Sequence, residues 1–450
     1  MLPLTELGIL LQDQLGLSKV RILLDILECF YCVEGKTTTR SLSRYSGYSL
    51  RTLFRFLGEE IDWLGLRLLI FKKFIYKASN SYIMAVDEVV EGKSRKASYG
   101  IGTFFSSILG KPIRGICFSG LTLIDVEKRT SCMIGLEQLV YTKEDKARIG
   151  KQKAEKKAAK KRKSAGISKA KGRKKGIKNK AKKENKTVSF RCLKALLLGF
   201  SSSKSMFSMG IKIAHLVGDA AYGTQDYLEL AQSHNLYLIS RLRDKPALYF
   251  PFTGKYKGLG RPKVYGKRCD FEKLPKAFFK EKKSEKDFTY DIYQFEARSK
   301  SILGVVLNVV VIRAVRKKDG KVAYKVFFSN DKELGYDKML DYYSLRFQIE
   351  FNFRDAKQYF GFSDFKNYKQ KNLTNFVNLS FLMCLINKIV LERQREKLNI
   401  PKLNTADLKV IANGQFTAKK IIKLLQEKPC LIFNNDFSEQ FLPQGLIHRA

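Results

Sequence analysis

Residues 211–243, IKIAHLVGDAAYGTQDYLELAQSHNLYLISRLR, read as strand, turn, helix, strand. An apolar run ends on Asp219, Ala220 to Gly223 make the turn, and Thr224 stands where a helix reaching about Ser233 would be capped. This punctuation belongs to an α/β fold, in which the carboxyl ends of strands are where ligands are met. Asp219 stands at such an end. A turn-forming or capping aspartate is the purely structural alternative.

Strand patterns recur on both sides. SYIMAVDEV, 81–89, is an apolar run ending in Asp87, and IRGICFSGLTLIDV, 113–126, is a second strand candidate. Between 244 and 335 the pattern changes: GLGRPKVYGKR is a basic loop carrying Arg261 and Lys263, and DFTYDIYQFEAR, ILGVVLNVVVIRAV and KVAYKVFFSN alternate as strands. Residues 244–335 therefore read as a β-rich insertion.

After the insertion, YYSLRFQIEFNFRDAKQYFGF, 342–362, reads as one helix. At about 100° per residue, Leu345, Ile349, Phe353, Ala356 and Phe360 share one arc, a stripe that faces a core. Tyr343, Arg346, Glu350 and Lys357 fall on a second arc at the stripe's edge, with Arg354 beside it. Ser344, Gln348, Asn352, Asp355 and Gln358 make the solvated face. The charged arc thus flanks a cleft, or else forms a surface ladder of Arg346–Glu350 and Glu350–Arg354 pairs of about 0.3–0.5 kcal/mol each.

Charge favours the cleft. The 450 residues carry a formal charge of +42, which calls for a polyanionic partner, and nucleic acid is the commonest one. Residues 143–187 hold 21 Lys or Arg against 4 acids, leaving 64 basic and 39 acidic residues elsewhere, so the folded body is basic too. Having few apolar residues larger than Ala, 143–187 is expected to be a mobile basic loop. Its Gly-Arg-Lys-Lys-Gly run, with Arg173, Lys174 and Lys175, loosely resembles minor-groove arms, without their proline.

The N-terminal 70 residues read as helices. TTTRSLSRYSGYSLRTLFRFLGEEI, 37–61, holds two short helical patterns joined at Ser46-Gly47-Tyr48, with Thr38 or Thr39 and Ser49 as caps. This suits a helix-turn-helix that presents Arg51 and Arg55 to DNA. The opening residues carry acids and no basic region of a signal peptide, so the expected place is the cytoplasm, at the nucleoid, with no membrane. The apolar run at 376–391 is broken by Asn378, Asn387 and Lys388 and reads as a buried helix. Eight cysteines include one Cys-x-x-Cys, Cys29 and Cys32, and read as buried thiols, because the three histidines complete no zinc spacing.

Three carboxylates stand out: Asp87, Asp219 and Glu350. Two Asp and one Glu suit a pair of Mg²⁺ ions, hard cations that bind oxygen ligands and bridge substrate phosphates. Glu88 and Glu91 are rivals of Asp87. The spacing Tyr343-x2-Arg346-x3-Glu350-x6-Lys357 matches at all four positions the YREK signature of bacterial insertion-sequence transposases of the DDE class. AVDEVVEGKSRKASYGIG around Asp87, and VGDAAYG followed by LYLISRLR around Asp219, are similar to that family's two aspartate regions. The resemblance covers roughly 80–395, apart from the lysine-rich segment.

It implies an RNase H-like core within an α/β fold: a mixed sheet with flanking helices, the first Asp on the first strand, the second on or after the fourth, and the Glu on a later helix. It also implies catalysis by Asp87, Asp219 and Glu350 with Mg²⁺, Mn²⁺ substituting. The chemistry implied is hydrolysis at transposon ends, then attack of the freed 3′-hydroxyl on target DNA, by a homodimer spanning two terminal inverted repeats. The expected organisation is a helical DNA-binding region at 1–78, core parts at 79–142, 188–243 and 336–395, the basic loop and β-rich insertion between them, and a C-terminal helical region at 396–450. An RNase H-like nuclease that only cuts, and an inactive transposase descendant that only binds DNA, stay open as alternatives.

Overall fold

The computed structural model describes residues 4–95, 97–107, 109–165, 186–203, 210–243, 246–255, 258 and 262–427. Strand β1, Tyr82–Gly92, is an interior strand of the sheet, paired on both edges. On one side it pairs antiparallel with β3, Lys111–Asp125, whose outer edge carries β2, Gly102–Ser106, and then β4, Thr130–Gln138. On the other side lie β5, Ile213–Gly218, parallel to β1, and β6, Tyr237–Leu242, parallel to β5. With the short β2 set aside, this is the RNase H-like arrangement, and Asp219 follows its fourth strand. Asp87 lies mid-strand, which differs from the sequence reading: β1 runs five residues beyond it, because β3 offers a partner as far as Gly115 opposite Gly92.

The insertion is not a separate sheet. Its strands β7, Leu248–Pro251, β8, Tyr265–Arg268, β9, Phe279–Ser284, β10, Phe288–Ser299, β11, Leu307–Arg316, and β12, Val322–Ser329, continue the core sheet, because β12 pairs with β6. The basic loop at 258–268 is therefore a loop only in part, since its last four residues form β8 against β7.

Helices α1, Leu4–Leu15, α2, Leu17–Cys32, α3, Thr39–Tyr45, α4, Leu50–Phe56, and α5, Trp63–Phe74, begin the chain. Thr38 caps α3 in a reciprocal pair with Ser41, and Ser49 caps α4. These helices share one apolar core with the C-terminal half: Phe30 packs against Phe360 and Phe376. The buried Trp63 indole donates to Asn375, and the fully buried Arg67 donates to the carbonyl and side-chain oxygens of Asn378. Both asparagines lie on α11, Gln370–Leu398. By length and composition α11 could cross a membrane, yet 89% of its most apolar window is buried inside the fold. The seven cysteines among the described residues are buried free thiols.

The expected mobile loop at 143–187 needs correction at its start. Lys143–Ser164 forms helix α6. Ala, Lys, Glu, Gln and Arg are good helix formers, so a segment too polar to bury a core can still be helical. Its start is a capping box: the Asp145 amide donates to the Thr142 hydroxyl, and the Thr142 amide donates back to the Asp145 carboxylate. Asp145 also pairs with Arg148 and, from α7, Val188–Ser202, with Arg191. Arg173, Lys174, Lys175 and Arg261 lie outside the described residues.

Candidate active site

The sheet places two aspartates side by side. Val86 pairs with Gly218 in the parallel β1–β5 ladder, so Asp87 and Asp219, the next residue of each strand, stand about one strand spacing of 5 Å apart. Asp219 holds the turn into α8, Gln225–Ser233: its carboxylate accepts from the Ala221 amide at 2.8 Å, and its carbonyl accepts from the Ser240 hydroxyl at 2.7 Å. The turn-forming role and the strand-end position thus coexist in one residue.

The helix read from 342 to 362 is broken, a second correction. α9, Tyr336–Leu345, and α10, Gln348–Tyr359, meet at Arg346-Phe347. There the amides of Arg346, Phe347, Ile349 and Glu350 each bond the carbonyl three residues back, a tightened stretch of the 3₁₀ kind. The core stripe holds through the break, with Leu345, Ile349, Phe353, Ala356 and Phe360 all buried. The solvated face does not hold at Asn352, which is buried and bonded to Ser131 and Lys388, because α10 and α11 both press against β4 there.

At the break, Arg346 joins two of the acids. Its guanidinium donates to Asp87 Oδ2 at 2.6 Å and to Glu350 Oε1 at 3.3 Å. Burial raises the Asp87 carboxyl to about 6; Arg346 pulls it down, while the charges of Asp219 and Glu350 push it up. Burial opposes the charge of Arg346, but Asp87, Tyr343, Glu350 and Asp219 together outweigh it and hold the guanidinium above its ordinary range. Tyr343 packs its ring edge-on to Phe327 and is raised by burial. Lys357 donates to the Val90 carbonyl at 3.0 Å and stands 3.5 Å from Glu91. Arg354 is exposed and pairs with Asp355, not Glu350, so the second rung of the surface ladder is missing. Lys263 stands over the Phe252 ring, away from these acids in the sheet's extension.

Alternation along β1 sorts the rival acids. Glu88 lies on the opposite face from Asp87, beside Cys117 and Ser189, and burial raises its carboxyl. Glu91 shares Asp87's face but accepts from the Ser363 hydroxyl and neighbours Lys357.

A family model described as DDE superfamily endonuclease matches residues 18–287, more than half the chain, and one described as transposase DDE domain matches residues 190–386. The chain belongs to the DDE superfamily. No curated protein matches it. The first match spans Asp87 and Asp219, the second Asp219 and Glu350, so this DDE protein is a transposase-type nuclease, an enzyme that acts on DNA. Enzymes of this superfamily generally use divalent metal ions. The donor set here fits such an ion: three hard carboxylates from three elements, with a cation already bridging two of them. Among the described residues no three metal-binding side chains close on one point as they stand. Arg346 holds the space between Asp87 and Glu350.

Proposed function

We propose that this DDE protein is a transposase that cuts DNA at the inverted repeats ending a transposable element and joins the freed ends to target DNA. Asp87, Asp219 and Glu350 are the catalytic residues and the ligands of Mg²⁺, in two sites, with Mn²⁺ able to substitute. When bound, the ions would activate the attacking water and stabilise the leaving oxygen of the phosphodiester. The single observation that supports this reading is the Asp87–Arg346–Glu350 bridge beside Asp219, which gathers acids more than 260 positions apart.

The chain's own groups then divide the work. Asp87, raised by burial to about 6, is largely deprotonated near neutral pH. Arg346 carries a buried Nε without a partner, a donor that a phosphate oxygen would satisfy. Tyr343 and Lys357 flank it on either helix segment and position the strand on both sides of the cut. Arg51, Arg55, Arg354, Lys263 and Arg261, with Arg173, Lys174 and Lys175, contact DNA further out. The working form is a homodimer across two ends, acting on DNA of the nucleoid.

Glu350→Gln tests the reading, because it keeps size and helix propensity and removes charge. The variant should bind end-containing duplex as the unmodified protein does and lose nicking and strand transfer by several orders of magnitude. A role limited to the Arg346–Glu350 pair predicts near-normal cleavage and a stability change below about 1 kcal/mol. Full cleavage by the variant sinks the proposal, and cutting without joining by the unmodified protein would leave a nuclease that does not transpose.

A further inference from the structure

Three segments distant in the chain bring cations to one groove. Arg55 comes from α4, Arg95 from the chain just beyond β1, and Lys366 and Lys369 from the segment between α10 and α11. With Phe54 and Tyr368 they line a concavity of about 580 Å³ that contains no acid. None of the four cations forms an ion pair among the described residues, whereas Lys357 and Lys371 nearby are both paired. The concavity shares Phe54 and Lys366 with a neighbouring one of about 790 Å³, to which Lys36 and Arg40 contribute and in which Glu34 is the one acid. Like charges collected in a hollow repel one another until a polyanion enters.

The groove is tied to the strand that carries Asp87. Lys357 donates to the Val90 carbonyl, and Lys93 donates to the carbonyls of Ser363 and Phe365. Further on, the Arg95 guanidinium lies 4.0 Å over the Tyr368 ring, and the Tyr99 amide donates to the Tyr368 carbonyl at 2.9 Å. The end of β1, where Glu91 accepts from the Ser363 hydroxyl, and the chain that follows it to Tyr99 are therefore tied to the 363–368 segment on the way from the acids to the groove. Phe54 and Tyr368 are 43% and 40% exposed at its wall, a large apolar area for a surface this basic. Eight residues separate Asp87 from Arg95, which at about 3.3 Å per residue is at most about 26 Å, the length of about eight base pairs of duplex.

We propose that this groove holds the sugar–phosphate backbone of duplex DNA and sets the distance between a protein contact and the cut. The inference rests on the reading of Asp87, Asp219 and Glu350 as the cutting site. The cations neutralise phosphates, Tyr368 offers a hydroxyl of the kind that phosphate contacts use, and Phe54 covers sugar. α4 has only seven residues, so it acts as one wall of a shared groove and not as a free-standing recognition helix.

The test uses the full chain and a duplex of the genomic DNA flanking its reading frame, with hydroxyl-radical footprinting and binding measured against salt. The variant is Arg95→Ala with Lys366→Ala and Lys369→Ala, all exposed residues outside the cutting site. Protection is expected to vanish in a patch within about eight base pairs of the cut and to persist at the cut itself. The slope of log K against log[salt] should fall by about 2.7, at about 0.9 per lost phosphate contact. Lys366→Glu with Lys369→Glu, which leaves the Arg95–Tyr368 stack intact, should deepen the loss of affinity without changing the melting temperature. An unchanged footprint and slope overturn the groove. Glu350→Gln, run on the same duplex, separates the two readings: if it abolishes cleavage while the groove variants bind normally, only the groove fails, and if it cleaves normally, the cutting site fails first.

Discussion

Replacing Arg346 with Ala leaves two carboxylates facing each other without their shared cation. The outer contact is worth little, since Glu350 is 41% exposed and its pair with Arg346 is long at 3.3 Å, so about 0.3–0.5 kcal/mol is lost there. The inner contact is different: Arg346 and Asp87 are both mostly buried and meet at 2.6 Å. Removing one partner of a buried pair costs about 3–5 kcal/mol, and the residual exposure of both groups places this one at the lower end, about 3 kcal/mol. For 450 residues melting as one unit that is a drop of about 3 °C.

The deficit carries a pH signature. Asp87 is raised from 3.8 to about 6 on folding, so the folded state binds a proton that the unfolded state does not, and ionising the carboxyl costs stability as pH rises through that window. Without Arg346, which pulls the value down, the carboxyl rises further and stays protonated longer. At pH 5 it is mostly protonated in both proteins and the deficit is small; at pH 8 it is complete. Calorimetric melts at the two pH values in EDTA, then with Ca²⁺ added, measure this directly. The divalent ion should restore the variant more than it stabilises the unmodified protein. Equal melting temperatures at pH 8 in EDTA would refute the bridge as a stabilising contact.

Two further outcomes are expected. Gly361 follows α10 at φ +71°, and a Cβ there would sit 2.7 Å from the Thr37 carbonyl oxygen, so Gly361→Ala should destabilise by about 2–4 kcal/mol in a denaturant titration. Excising residues 149–185 while keeping Asp145 and its pairs with Arg148 and Arg191 should spare the melting transition and flatten the salt dependence of DNA binding equally for all sequences; a collapsed transition would show that the segment is structural.

How legible the molecule was depends on the range of the forces involved. The stripe from Leu345 to Phe360, the caps at Thr38 and Ser49 and the turn after Asp219 are set by residues a few positions apart, and each is found where periodicity and capping place it. Family resemblance carried the reading from three scattered acids to a DDE enzyme. The break at Arg346-Phe347 was not visible, because no proline or glycine marks it; it coincides with the bond from Arg346 to Asp87, a partner remote in the chain. Nor was the burial of Asn352, whose partners Ser131 and Lys388 are supplied by β4 and α11. The capping box at Thr142 and Asp145 was missed, because the charge of the surrounding segment argued for a loop.

The bond between β12 and β6 bears on what this chain tolerates. Over Val326 to Ser329 the insertion satisfies the outer edge of a strand whose other edge faces β5. Cutting the insertion away would leave Leu238, Ile239 and Leu242, all buried, on a bare row of amides and carbonyls, the template on which other chains add themselves. A shortened protein would therefore self-associate along that edge before it lost any catalytic group, unless β6 were blunted with charge or proline.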